Sequence, residues 1–117
     1  MYSRLMPIKN PSFMAGVPEL VVLGLLAGRE MYGYEIARSI KATSHEALSL
    51  GEGVLYPVLH TLESRGLVRT RKVRVAGRVR IYYSLTAQGK KRFERLTADW
   101  RRMSLGVDSI LGRPSLG

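Results

Sequence analysis

Apolar residues recur at helical spacing in the first half of the chain. The run from Leu20 to Ala27 is apolar on almost every side and ends at Gly28. Because proline followed by an acidic residue is favoured in a first helical turn, this run predicts a buried helix that begins near Pro18. A second helix is expected from Tyr32 or Gly33 to Ala42. Its inner face would carry Tyr34, Ile36, Ala37 and Ile40.

A third helix follows with well-marked ends. Ser49 and Glu52 have the spacing of a capping box, and Gly66 stands where a helix commonly stops. Pro57 falls inside this helix, but the residue four positions earlier is Gly53, which has no side chain to crowd the ring. We therefore expect an unbroken helix with a bend. Leucines repeat along its inner face at Leu55, Leu59 and Leu62.

Period-two alternation replaces the helical pattern after Gly66. In the final strand, apolar Val79, Ile81, Tyr83 and Leu85 alternate with Arg78, Arg80 and Tyr82. The tight turn Ala76-Gly77 joins this strand to a preceding one, which predicts a hairpin whose inward face is set by Val79 and Ile81. In the first strand, basic and apolar residues both fall at odd-numbered positions, so they would lie on the same face of a regular strand. We therefore expect either a β-bulge or a strand that begins later in the chain. These residues are Arg69, Arg71, Val73 and Val75.

The last predicted helix begins at Thr86 and ends near Gly112. Its apolar residues alternate at spacings of three and four, as in the seam of a coiled coil, and such a seam usually pairs with its copy in a second subunit. We therefore expect a homodimer. The seam consists of Phe93, Leu96, Trp100, Met103, Val107 and Ile110. The chain then divides into a flexible arm (1–16), a domain (17–86), a dimerisation helix (87–112) and a flexible tail (113–117).

Charge narrows the class of partner. The chain has 117 residues and a net charge of +10, with 19 lysines and arginines against 9 acidic residues. Between Arg65 and Arg80, seven of sixteen residues are basic and none is acidic. A cationic hairpin of this kind favours double-stranded DNA as the partner.

The residues give little support to other classes of function. The chain has no cysteine, which excludes disulfides and fits the cytoplasm as the expected compartment. Its longest apolar run is far shorter than the roughly 20 residues of a membrane span, so we expect no membrane association. His45 and His60 are isolated from any partner at metal-ligand spacing. We expect no catalytic site, metal or cofactor.

Helices followed by a hairpin make a winged helix-turn-helix, a mainly α fold with a small β wing, here extended by a C-terminal dimerisation helix. Several blocks resemble the PadR family of prokaryotic transcription regulators, in its short subfamily. They are Gly33-Tyr34-Glu35-Ile36, Gly53-Val54-Leu55-Tyr56-Pro57-Val58-Leu59, Leu62-Glu63, Gly66-Leu67-Val68, and Gly77-Arg78-Val79-Arg80-Ile81-Tyr82-Tyr83-Ser84-Leu85-Thr86. The resemblance implies a dimeric DNA-binding repressor whose third helix enters the major groove while the wing grips the backbone or the minor groove.

The expected DNA contacts combine this resemblance with the free N–H groups of a helix start and the charge of the wing. They are Tyr34, Ser49, Gly53, Val54, Tyr56, His60, Arg71, Lys72, Arg74, Arg78 and Arg80. Tyr34 and Tyr56 each have a second interpretation as core residues. Val54 stands where the family often has serine or threonine, which makes contact with a thymine methyl group an option. Val79 and Ile81 replace the family's frequent proline and basic residue.

Trp100 has two interpretations. It fills space in the seam, or, as the resemblance implies for some short members, it forms with its symmetry mate and Met103 a platform for a small aromatic effector. For the whole chain, the leading hypothesis is a sequence-specific repressor that binds a palindromic operator as a homodimer. Two alternatives are an architectural winged helix that recognises nucleic-acid shape and an enzyme-free adaptor for an acidic protein.

Overall fold

The computed structural model describes residues 7–8 and 14–112 and has the predicted winged helix-turn-helix with a long final helix. Its helices are α1 (Val17–Gly28), α2 (Gly33–Thr43), α3 (Glu52–Ser64) and α4 (Ala87–Leu111). Its strands are β1 (Met31–Tyr32), β2 (Val68–Val75) and β3 (Arg78–Leu85). They form an antiparallel sheet in the order β1-β3-β2. Strand β1 was not predicted, because its two residues carry no readable alternation.

The core forms around α1, which explains why that helix is apolar on almost every side. It contacts α2, α3, α4 and β3, and its Val22 and Leu23 are completely buried. The remaining buried residues come from this helix, from its neighbours and from the segments that join them. They are Leu26, Met31, Ile36, Ile40, Leu50, Leu55, Leu59, Leu62, Leu67, Val68 and Tyr83. The predicted inward leucines of α3 are therefore confirmed.

The predicted capping box at the start of α3 is wrong. The residue that precedes the helix is Gly51, and no side chain caps its first turn. Gly51 has an extended backbone, Leu50 before it is buried, and Ser49 remains exposed before the helix begins. An acidic cap occurs instead at α2, where the Tyr32 N–H donates to the Glu35 carboxylate over 3.2 Å.

Two expectations for α3 are confirmed, its continuation through Pro57 and its stop at Gly66, and the bend stays a prediction. The helix continues through Pro57. It ends with Gly66 in the left-handed region, at a φ of 73°, where the Leu67 N–H donates to the Leu62 carbonyl over 2.9 Å. Glycine adopts this conformation without the steric penalty that a Cβ atom brings.

The hairpin is regular along its whole length, so the expected bulge or late start is wrong. Pairing is unbroken from Val68 opposite Leu85 to Val75 opposite Arg78. Ala76 and Gly77 form the predicted turn, with φ values of 50° and 77°, as in the two-residue turns that suit twisted hairpins.

The inward orientation predicted for Val79 and Ile81 is also wrong. Their exposed fractions are 55% and 42%. The hairpin extends beyond the helices, so near its turn neither face has a core to contact. Alternation in the sequence assigned these residues correctly to the face of Tyr83, but it carried no information on where the core stops.

A tight junction joins the end of α3 to the start of α4. Thr86 caps α4 as predicted, because its hydroxyl oxygen accepts from the Gly89 N–H over 3.0 Å. The same hydroxyl donates to the Gly66 carbonyl over 2.6 Å, and the Thr86 N–H donates to the Leu67 carbonyl over 3.1 Å. A side chain at Gly89 would collide with that Leu67 carbonyl.

Only the second half of the predicted seam on α4 is open. Phe93 and Leu96 are half-buried against the core of their own chain, and Phe93 lies against Gly24 of α1. Their assignment to a dimer seam is corrected to this extent: α1 already covers much of their surface. The exposed part of the seam consists of Trp100, Met103, Val107 and Ile110.

The ends of the chain are described only in part. In the expected arm, the Ile8 N–H donates to the Ala47 carbonyl over 2.8 Å, so this residue contacts the turn before α3. Most of the arm and the tail 113–117 lie outside the described residues. Within the described ranges, no helix is long and apolar enough to cross a membrane.

Replacing Gly89 with alanine should destabilise the protein by about 1–3 kcal/mol, because the new methyl group needs the space of the Leu67 carbonyl. Urea unfolding followed by circular dichroism measures this loss. The control is Gly106→Ala, where the space is open and alanine in mid-helix should stabilise by up to about 1 kcal/mol. Equal stability of Gly89→Ala and the parent protein would contradict the close approach.

Candidate nucleic-acid interface

The outer face of α3 is exposed and carries no cation. Gly53, Val54, Pro57 and His60 lie on this face, and 47% of Val54 is exposed. No lysine or arginine occurs anywhere in α3, whose charged residues are Glu52 and Glu63. A helix with this surface offers apolar and neutral polar groups to a partner. It supplies no charge to attract a polyanion.

The start of α3 is open to close approach. A methyl group on Gly51 or Gly53 would meet no other atom within 4 Å. The Gly51 carbonyl accepts from the N–H groups of Val54 and Leu55 over 3.1 and 2.9 Å. The two preceding N–H groups point out of the helix end and are available to an anion, as is usual at a helix start. Glu52 in this first turn opposes that attraction.

The wing carries cations on both of its faces. Residues paired across a hairpin share a face, so Lys72 and Arg74 lie with their partners Ile81 and Val79 on what we call the inner wing face. The outer wing face is the opposite side. It carries Arg69, Arg71, Arg78 and Arg80. The wing cations are therefore divided between two surfaces that point in opposite directions.

Arg71 forms an ion pair within the protein, and its assignment as a DNA contact stays a prediction. Its Nε donates to both carboxylate oxygens of Glu30, over 3.1 and 2.9 Å, and its guanidinium lies 5.3 Å from the Tyr82 ring centre. The hydrogen bond from Arg71 holds the pKa of Glu30 below its ordinary value. The hairpin is free of acidic residues in sequence, but the fold brings one to it from the segment after α1.

The other wing cations remain unneutralised. Among the described residues, no carboxylate lies within ion-pair distance of Lys72, Arg74, Arg78 or Arg80. Arg69 is likewise unpaired in the part of the chain that is described. These side chains keep their full charge for a partner.

A cluster of tyrosines and arginines braces the wing against the start of α2. The Arg80 guanidinium carbon lies 4.4 Å from the Tyr32 ring centre, and the Tyr32 and Tyr82 rings meet edge to face at 5.4 Å. Tyr32 also stacks on Tyr34 at 6.5 Å. Such contacts contribute about 0.5–1.5 kcal/mol each when desolvated. The sequence analysis missed this cluster, because its signal lies in the unpredicted pairing of β1 with β3.

The two tyrosines with open assignments take different positions. Tyr34 is 61% exposed, so its expected inward orientation is wrong, and it stands at the start of α2 beside Arg38. Tyr56 is half-buried against the core. Its ring lies so close to Gly33 that a methyl group there would be 2.5 Å from the Tyr56 hydroxyl oxygen. Packing therefore accounts for the position of Tyr56, in line with its second interpretation as a core residue.

Trp100 lies at the mouth of two apolar cavities, and 44% of its surface is exposed. The larger cavity has a volume of about 490 Å³ and extends to Leu20, Val21 and Leu48. The smaller has a volume of about 190 Å³ and extends to Leu96 and Met103. The indole ring of Trp100 therefore lines both cavities, between α4 and the start of α1.

Comparison with known proteins points in one direction. A model of the transcriptional regulator PadR-like family matches residues 22–95, more than half of the chain. The protein called transcriptional regulator Rv3488, from Mycobacterium tuberculosis, is 30% identical over 103 residues, covering 88% of this chain and 91% of that protein. Both matches are to transcriptional regulators.

Solved structures agree with this match. A PadR family transcription regulator from Clostridium difficile has a TM-score of 0.73 at 29% identity, covering 83% of this chain and 100% of that one. A PadR-like transcriptional regulator from Bacillus cereus has a TM-score of 0.76 at 25% identity, covering 88% and 99%.

Replacing Tyr32 with alanine should loosen the wing, because it removes the ring that contacts both Arg80 and Tyr82. We expect a loss of about 2 kcal/mol in stability and faster amide hydrogen exchange in residues 78–82. Tyr34→Ala is the matched control, since that exposed ring should change stability by less than about 0.5 kcal/mol. Unchanged exchange in the wing of Tyr32→Ala would show that β-sheet pairing alone holds it.

Proposed function

Because the chain belongs to the PadR-like family of transcriptional regulators, whose members are DNA-binding regulators and not enzymes, we propose that it is a repressor that binds a palindromic operator as a homodimer. The cytoplasm is the compartment where it would act. The observation that carries this proposal is the contrast between neighbouring surfaces: α3 exposes a face without cations, and the wing exposes cations without acidic partners.

This contrast supports a division of labour in DNA recognition. Phosphate contacts supply affinity that is independent of sequence, and contacts to base edges supply sequence preference. The wing, through Lys72, Arg74 and Arg78, has the chemistry for phosphates. The outer face of α3 has the chemistry for bases: Val54 suits a thymine methyl group, His60 can donate or accept a hydrogen bond, and Gly53 allows close approach.

The exposed part of the α4 seam supports a dimer. Trp100, Met103 and Val107 have exposed fractions of 44%, 56% and 47%, and Ile110 reaches 86%. A stripe of large apolar side chains along one helix seldom stays in contact with water, and its coiled-coil spacing suits a second copy of the same helix. Two copies related by a two-fold axis would place their α3 helices on an inverted repeat.

The cavities beside Trp100 support an effector site. Their lining is almost entirely apolar, with the indole ring as one wall, which suits a flat aromatic molecule. An effector at this position would touch α4 and the start of α1 together, so it would change the dimer rather than the DNA-reading surface. Release from the operator would follow from that change. The alternative role of Trp100 is to fill the dimer seam.

The salt dependence of DNA binding tests the role of the wing. Replacing Lys72, Arg74 and Arg78 with glutamine should weaken binding to all sequences and reduce the slope of log affinity against log salt by about 0.9 for each phosphate that the wing no longer neutralises. Preference for the operator over random DNA should remain. The control replaces Arg95, Arg101 and Arg102 of α4, which removes the same charge away from the wing. An unchanged slope in the wing variant would contradict phosphate contact there.

Trp100→Ala tests the role of the seam. We expect the dimer dissociation constant to rise by more than tenfold, or about 1.4 kcal/mol, because a large apolar side chain leaves the interface. Sedimentation measures this change, with Leu105→Ala as the control, since Leu105 is an exposed apolar side chain that falls outside the seam's spacing of three and four residues. A wild-type protein that is monomeric at micromolar concentration would refute the dimer. An intact Trp100→Ala dimer would assign the ring to effector binding instead.

A further inference from the structure

Three helices meet at one carboxylate. Glu19 in the first turn of α1 accepts hydrogen bonds from Nε and Nη2 of Arg92 on α4, over 2.9 and 3.3 Å. Nη1 of Arg65, the residue that ends α3, lies 3.6 Å from the same carboxylate. Glu19 therefore joins the helix proposed to read DNA to the helix proposed to form the dimer.

The Glu19–Arg92 pair is more sheltered than a typical surface ion pair. The exposed fractions of the two side chains are 22% and 29%, and the contact is bidentate, which fixes direction as well as distance. The hydrogen bond that Arg92 donates to Glu19 raises the pKa of Arg92. Arg65 is more exposed, at 47%, and its contact with Glu19 is the weaker of the two.

The position of the cluster formed by Glu19, Arg65 and Arg92 is important because α3 and α4 are also connected at a second point. The Thr86 hydroxyl already binds the Gly66 carbonyl at the end of α3, and Phe93 packs against α1, but neither contact is a charged, bidentate one that fixes direction. Arg92 lies six residues further along the helix, or about 9 Å. Two polar attachments separated by this distance hold the angle between α3 and α4 more firmly than one does.

We propose that Glu19 is a positioning residue that holds α4 at a fixed angle to α3 and thereby sets the spacing between the two half-sites of the operator. This inference rests on the proposed function, since it requires dimerisation through α4 and reading through α3. In a two-fold dimer, rotation of α4 about the Thr86 junction changes the distance and the angle between the two α3 helices. Loss of the Glu19 ion pair permits this rotation, so the protein accepts operators of several spacings.

The experiment measures binding to operators that differ only in spacing. An inverted repeat selected by the wild-type protein from random DNA is lengthened or shortened by one and two base pairs between its half-sites. Each base pair moves one half-site along the duplex and around its axis, so the wild type should lose about tenfold or more in affinity for one base pair. In Glu19→Gln this loss should shrink to about threefold or less, while binding to each isolated half-site is unchanged.

Two pairs of variants separate positioning from charge. Glu94→Gln makes the same change in charge as Glu19→Gln, on an exposed residue outside the ion pairs of the described chain, and it should keep the spacing preference of the wild type. Arg92→Gln should reproduce the effect of Glu19→Gln from the α4 side, with Arg95→Gln as its control. Sedimentation and circular dichroism establish that each variant is a folded dimer.

Each outcome decides between the proposals. If the wild type selects no inverted repeat, the proposed function fails and the spacing role fails with it. If the wild type is selective and both Glu19→Gln and Arg92→Gln remain equally selective, only the role of Glu19 is overturned. Loss of folding in both variants also overturns it, because a positioning residue is dispensable for the fold.

Discussion

The burial of α1 positions most of the other elements of this protein. Val22 and Leu23 are completely buried because α2, α3, α4 and β3 all pack against this one helix. Burial of a leucine-sized side chain contributes about 1.5–3 kcal/mol, so a polar substitution on any side of α1 would weaken the packing of several elements at once. The helix proposed to read DNA, α3, and the helix proposed to form the dimer, α4, hold their relative positions because both pack on α1 and are then joined at Thr86 and Glu19.

Charge and shape are distributed over different parts of this framework. The wing has five cations without an acidic partner among the described residues, and α3 has none. Separation of this kind lets affinity and sequence preference change independently, since a cation in the wing acts on any phosphate, whereas a side chain on α3 acts on one base pair. Among the wing cations, Arg71 has a structural role, through its ion pair with Glu30. This ion pair holds the hairpin in place.

The sequence predicted the helices, the hairpin and its turn because these depend on local patterns: proline and glycine at helix ends, leucines at helical spacing, and strand alternation. It failed where distant residues decide the outcome. Ser49 and Glu52 had the spacing of a capping box, but Gly51 precedes the helix and Leu50 packs into the core. Val79 and Ile81 alternated correctly, yet the helices end before they reach that part of the wing. Arg71 looked unpaired because Glu30 lies far away in sequence, and the heptad on α4 did not reveal that α1 covers its first residues.

Selection of bound fragments from random DNA tests the central claim most directly. If α3 reads bases and the exposed seam of α4 makes a two-fold dimer, the selected fragments will contain an inverted repeat with half-sites about one helical turn apart, and each half-site will show preferred bases. Fragments that share a groove shape or base composition but contain no repeat would contradict this account. That result would indicate a winged helix that recognises nucleic acid through charge and shape alone.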